Sequence, residues 1–153
     1  MAAQEAQHQR NEGGREPEPD RRMSGWTGVA YANVPVGRAF GPRRLVRNAG
    51  QVERFCEIAG WSGSRPDHVP AFLLNELGTL KQFLKLPPGV LHAREELALA
   101  SPARIGEELE VCIAVADKFI RNHKRFVVFA QTIRSAGDDR LIMSITRTLY
   151  WPC

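Results

Sequence analysis

From residue 34 onward, two kinds of hydrophobic period follow one another along the chain. Val34 to Gly37 is a short entry, and Phe40 to Arg47 predicts a first strand. Asn48 then stands in N-cap position with Gln51 three residues on, the spacing of a reciprocal capping box. Val52, Phe55, Cys56 and Ala59 follow at helical spacing until Gly60 stops the helix. Trp61 to His68 is punctuated by Gly63 and Pro66 and predicts a loop. Pro70 can open a second helix, because the N–H it lacks has no partner in a first turn. That helix is expected over Phe72 to Lys85, ending at Pro87-Pro88-Gly89.

Beyond Gly89 the period becomes two. Val90 to Ala100 alternates, with Leu91, Ala93, Leu97 and Leu99 assigned to one side. Leu109, Val111, Ile113 and Val115 alternate with Glu108, Glu110, Cys112 and Ala114. Phe126 to Ile133 is taken as an apolar run, and Leu141 to Trp151 is β-rich. Ser135 to Asp139 supplies a hairpin connection. Strands joined by short connections pair antiparallel. Helices followed by such strands define an α+β domain. Its economical form is one long helix lying against a strongly curved sheet of about five strands. An apolar run facing both ways calls for a second covered surface, so a two-fold partner is expected.

On a wheel of about 100° per residue, Phe72, Leu73, Leu77, Leu80, Phe83 and Leu84 share one arc of the second helix. Leu74 falls outside it; Asn75, Thr79, Lys81, Gln82 and Lys85 fill the polar remainder. Glu76 falls inside the apolar arc. A carboxylate there is costly when charged unless it is paired. Two readings stand: an acid/base group tuned by burial, or an ion pair with an arginine or bonds to backbone donors across a dimer interface. Gly78 in mid-helix costs on the order of 1 kcal/mol relative to Ala. Close approach of another element or a ligand would account for it, and so would plain tolerance.

Composition narrows the classes. The chain has 153 residues, 43% hydrophobic and 25% charged, which suits one domain. The first 22 residues carry four Arg and five acids with no hydrophobic period. Residues 1–25 are therefore expected to be a disordered tail, and 26–153 the domain, with Trp26 and Tyr31 where the tail docks. No apolar run approaches the length of a membrane span, and the N-terminus has no secretory h-region. Cys56, Cys112 and Cys153 form no CxxC, so reduced thiols in a cytoplasmic protein are expected, with no metal site and no cofactor. A net charge of +4 is too mild to argue for nucleic-acid binding. Two basic clusters stand out: Arg43, Arg44 and Arg47, and Lys118, Arg121, Lys124 and Arg125. Most such clusters are solvated faces; the sharper reading is contact with the phosphates of a CoA or carrier-protein arm.

Several stretches resemble a known family. Val36-Gly37-x-x-Phe40 followed by Val52-x-x-Phe55-x-x-x-Ala59-Gly60 is similar to the opening of MaoC-like hydratases and dehydratases. Leu91 to Glu95, then Pro102-x-x-x-Gly106-Glu107-Glu108-Leu109, resembles their Pro and Gly-Asp-x-Leu passage, and Lys124 to Tyr150 their closing hairpin. The resemblance covers residues 34 to 151, and is as close to the family's often non-catalytic N-terminal half-domains as to its active ones. It implies a hot-dog fold, a homodimer or a heterodimer with another hot-dog subunit, and an acyl-CoA or acyl-carrier-protein thioester as ligand. The family's Asp-x-Asn-Pro-x-His loop corresponds to Gly63-Ser-Arg65-Pro66-Asp67-His68, where only Pro66 and His68 fit. Pro70-Ala-Phe-Leu-Leu-Asn75-Glu76 also resembles the helix start of hydroxyacyl-carrier-protein dehydratases, whose helix Glu matches Glu76.

The resemblance thus makes His68, Glu76 and Asp67 candidate catalytic residues, and Asn75, Gly78 and Arg65 candidate substrate contacts. His92, in a strand, and His123, in a turn, are taken as structural or exposed. Three functions are open: a hydratase or dehydratase on a thioester, a catalytically degenerate acyl-binding or structural subunit, or a thioesterase of the same fold.

Overall fold

The computed structural model describes residues 30–76 and 80–152. The expected tail, Trp26 and Gly78 lie outside the described residues. The chain gives a 3-10 turn at Tyr31–Asn33, strand β1 (Ala39–Val46), helix α1 (Ala49–Ile58), a short helix α2 (Ala71–Asn75), a second 3-10 turn at Leu80–Gln82, then β2 (Leu91–Leu99), β3 (Glu108–Arg121), β4 (Lys124–Ser135) and β5 (Leu141–Tyr150). All five strands form one antiparallel sheet in the order β1-β3-β4-β5-β2. This is the hot-dog arrangement expected from the sequence.

The local signals behave as their chemistry requires. Asn48 Oδ1 accepts from the Gln51 N–H at 2.9 Å, and Gln51 Oε1 accepts from the Asn48 N–H at 3.0 Å, closing the capping box of α1. Arg121 and Lys124 lie directly opposite each other, with Asn122 and His123 at φ of 50° and 59° between them. Those angles are the ones a two-residue hairpin turn demands. Tyr31 meets the domain through Lys118, whose Nζ donates to the carbonyls of Tyr31, Ala32 and Val34.

The inward-facing series of three strands builds the core: Leu109, Val111, Ile113 and Val115 on β3; Val127, Phe129 and Ile133 on β4; Met143, Ile145 and Leu149 on β5. Val52 and Cys56 of α1, Leu73 and Leu74 of α2, and Leu80, Phe83, Leu84 and Trp151 cover them. Phe126 to Ile133 is not equally apolar on both faces. Its inward residues are buried and its outward ones half-buried within the single chain, and Gln131 is buried among the inward set.

The expected second helix is present in part among the described residues. α2 spans five residues with Glu76 as its C-cap, Leu80–Gln82 form a 3-10 turn, and Leu84 and Lys85 are not helical. Leu74, outside the wheel's apolar arc, is fully buried, while Phe72, inside it, is 77% exposed. A wheel assumes one continuous axis. The chain instead buries Leu73 and Leu74 at one short helix and Leu80, Phe83 and Leu84 at a separate turn, each Leu contributing roughly 1.5–3 kcal/mol. Glu76 therefore does not sit in an oily flank: its side chain is 66% exposed.

A second departure lies in β2. The register shifts between His92 and Arg94, so Leu91 pairs with the outward Tyr150 while His92 pairs with the inward Leu149. The side shared by Leu91, Leu97 and Leu99 in the sequence is thus divided. Leu97 and Leu99 face inward with His92 and Glu95; Leu91 faces outward.

The connection before β3 is fastened by Glu107. Its carboxylate accepts from Arg140 Nη2 at 2.7 Å and from the Arg104 N–H at 2.7 Å. Arg140 also donates to Ser101 Oγ and to the Pro102 carbonyl, each at 2.8 Å. Burial pushes the Glu107 pKa up, but the donors from Arg104, Ser135 and Arg140 outweigh it and hold the carboxyl below its ordinary range.

Candidate active site

The inward phase of β5 carries one charged residue. Met143, Ile145 and Leu149 are apolar, but Arg147 stands among them with a side chain 10% exposed. A buried guanidinium needs acceptors for its fixed fork of donors, and three elements supply them. Nε donates to Glu95 Oε1 of β2 at 2.5 Å. One terminal nitrogen donates to Gln131 Oε1 of β4 and the other to Asn75 Oδ1 at the end of α2. Asn75 Nδ2 returns toward Glu95 Oε2 at 3.4 Å. Gln131 Nε2 is buried with no hydrogen-bond partner among the described residues.

This network forms one wall of an open cavity of about 410 Å³. Asn75, Glu76, His92, Glu95 and Arg147 give it a polar side; Leu80, Leu86 and Leu149 give it an apolar one. Glu76 lies beside Arg47, whose terminal nitrogen is 3.9 Å from its Oε2. Within the chain Glu76 thus has a long ion pair with Arg47 that lies partly in water. Arg47 Nε is itself buried without a hydrogen-bond partner among the described residues. His92 enters this cavity because the β2 irregularity turns it inward.

The candidate residues from the sequence fall in three places. Asn75 and Glu76 border the large cavity together. Arg65 pairs with Glu53 and borders a smaller hollow of about 150 Å³ with Val52, Cys56 and Pro66. Asp67 and His68 are exposed and border neither cavity. His68 forms an isolated bridge with Arg104, and the Val69 N–H bonds the Ala103 carbonyl, which pins the loop to the segment leading into β3. Among the described residues, then, the loop histidine does not line the cavity that the helix glutamate borders. Among the described residues no cluster of His, Cys, Asp and Glu could hold a metal ion. No helix among the described residues is long and apolar enough to cross a membrane.

Arg147, Glu95 and Gln131 were not singled out from the sequence, and His92 was taken there as structural or exposed rather than as a cavity residue. The signal existed for two of them: Arg147 and Gln131 each interrupt an otherwise apolar inward series. The irregularity that turns His92 inward has no local signature.

Solved structures with this arrangement include the (R)-hydratase PhaJ1 from Pseudomonas aeruginosa, at a TM-score of 0.65 and 16% identity over 82% of this chain and 86% of that one. The MaoC-like dehydratase from Rhodospirillum rubrum matches at a TM-score of 0.64 and 16% identity, over 82% and 99% of the two chains. The HadBC (3R-hydroxyacyl-ACP dehydratase) complex from Mycobacterium tuberculosis matches at a TM-score of 0.57 and 17% identity, over 75% and 96%. The fold is therefore that of the MaoC-like hot-dog proteins, as the sequence resemblance implied. No protein-family model matches the chain, and no curated protein matches it.

Proposed function

We propose that the chain is a hot-dog protein of the hydratase–dehydratase kind that takes an acyl thioester into the cavity beside α2, with Glu76 and His92 as its proton-moving groups. The observation that carries this reading is their convergence on one cavity with an apolar side for an acyl chain. Hydration of an enoyl thioester needs two proton transfers. A base takes a proton from water as its oxygen bonds to C3, and an acid delivers a proton to C2 as the enolate collapses. Two titratable side chains at one cavity suffice for that. Arg147 and Asn75 hold the wall against which the thioester lies.

The fold neighbours named above, and the ChsH1-ChsH2 complex from Mycobacterium tuberculosis at a TM-score of 0.56 and 12% identity, include two-component assemblies. This chain has a reason of its own to pair: β2 is a sheet edge, and Leu97 and Leu99 on its inward face are 47% and 55% exposed. Pairing there would wall the open side of the cavity.

The test is turnover of crotonyl-CoA, followed as loss of the enoyl chromophore. Glu76→Gln and His92→Asn should each lower kcat by about 100-fold or more, with the fold intact by circular dichroism. Wild-type protein that binds the thioester but does not turn it over would remove the catalytic reading. The second reading, a catalytically silent acyl-binding subunit, would then stand. It is favoured by the exposed positions of Asp67 and His68. Release of free CoA thiol would instead mark a thioesterase.

A further inference from the structure

The far end of the β3–β4 hairpin carries two cations whose side chains have no ion-pair partner among the described residues. Arg121 and Lys124 are directly opposite each other on the outward face and both are exposed. Like charges placed opposite across a ladder repel. Neither residue has an ion-pair or hydrogen-bond partner among the described residues. Lys118, the third cation nearby, is occupied by the carbonyls of Tyr31, Ala32 and Val34.

One pair further along the same face, Phe119 stacks on Phe126 with ring centroids 5.1 Å apart. Phe126 in turn meets Tyr150 edge-on at 6.2 Å. Phe119 remains 37% exposed. The outward face thus presents an aromatic ledge bordered by two repelling cations. A core does not need this arrangement, because the ledge lies on the side of the sheet away from the buried series.

We propose that this ledge is a binding site for a phosphorylated nucleotide, the base lying on Phe119 and the phosphates bridging Arg121 and Lys124. Stacking on an exposed ring tolerates any base, and a phosphate between the two cations relieves their repulsion through charge-assisted hydrogen bonds. The site is separate from the cavity and does not depend on the reaction proposed there. Nucleotide chemistry of this kind comes either from free nucleotides or from the adenosine 3′-phosphate 5′-diphosphate end of CoA.

Isothermal titration with adenosine 3′,5′-bisphosphate, at low and at physiological salt, tests the site. Saturable binding weakened by salt is expected, with adenosine lacking phosphates failing to bind. Arg121→Ala with Lys124→Ala should weaken binding about tenfold or more, and Phe119→Ala several-fold. Lys85→Ala, on an exposed surface elsewhere, should leave it unchanged. Lys124→Glu separates function from structure: it replaces a repelling pair by an attracting one, so the melting temperature should hold or rise while nucleotide binding is lost. Free CoA binding tighter than the bisphosphate would support the site and mark CoA as the source; equal affinity would support it with a free nucleotide as the source. No binding at low salt, or binding unaltered in Lys124→Glu, overturns the proposal. So does a short oligothymidylate that binds more tightly in proportion to its length, because that behaviour belongs to a nucleic-acid track.

Discussion

Glu95 and Arg147 are directly opposite each other across the β2–β5 ladder, and the Arg147 Nε donates to Glu95 Oε1 at 2.5 Å. The pair ties the edge strand to the sheet interior. Through Asn75 it also ties both strands to the end of α2. Glu95→Ala strips a buried guanidinium of the Glu95 carboxylate and should cost about 3 kcal/mol, the low end for a broken buried pair, since Glu95 is partly open to the cavity. Urea denaturation measures it. Arg147→Met combined with Glu95→Leu should cost clearly less than the sum of the single changes; strict additivity would show that the two side chains are not coupled.

The Asn48 capping box predicts a local effect. Asn48→Ala should lower stability by about 1 kcal/mol and leave thioester binding untouched, because no residue of α1 lines the larger cavity. A loss of binding alongside the stability change would show that α1 also shapes the larger cavity.

Gly41 has a φ of +99°, and a Cβ built on it would lie 2.8 Å from the Val111 carbonyl oxygen. Gly41→Ala therefore combines an unfavourable backbone region with a steric collision and should cost at least 1–3 kcal/mol. Thermal denaturation would register it, and an unchanged midpoint would mean that β1 can move away from β3.

Glu107 sets part of the acid limb of stability. Its carboxyl is held below the ordinary value of 4.5 in the folded chain, so the folded state favours the ionised form. That contribution is complete above the unfolded pKa and is lost as pH falls through the lowered folded value. Glu107→Gln should destabilise the protein at neutral pH and flatten the fall of melting temperature below about pH 4.5. Parallel curves for the two proteins in acid would assign the acid limb to other carboxylates.

The β2 edge gives the test of assembly. Leu97→Lys with Leu99→Lys places charges on the exposed inward face of the edge strand and should shift a dimer to monomer in light scattering at micromolar concentration. A wild-type monomer would rule out the pairing proposed above.

Much of this architecture could be read from consecutive residues. Asn48 with Gln51 marked the start of α1, the Gly and Pro positions marked loops, and the period-two series marked β2, β4 and β5 within a residue or two and β3 as far as Val115, six residues short of its end. These features are legible because a capping box or a pleat is satisfied by neighbours in sequence. Alternation also encoded the inward phase in which Arg147 and Gln131 stand out, a signal that was present and passed over.

What the chain alone did not determine is how distant pieces meet. Three partners of Arg147 lie 16, 52 and 72 residues away, and no local period records such distances. The one-residue irregularity beside Ala93 exchanges the faces of His92 and Leu91. Because side chains alternate at each residue, that small shift decides which of the two borders the cavity. The second helix shows the same division. Its apolar residues were plain in the sequence, but only packing against the sheet decided that Leu73 and Leu74 would be buried in one turn, Leu80, Phe83 and Leu84 in another, and that Glu76 would face water beside Arg47. Local preference is a matter of tenths of a kcal/mol per residue, and burial of whole side chains outweighs it.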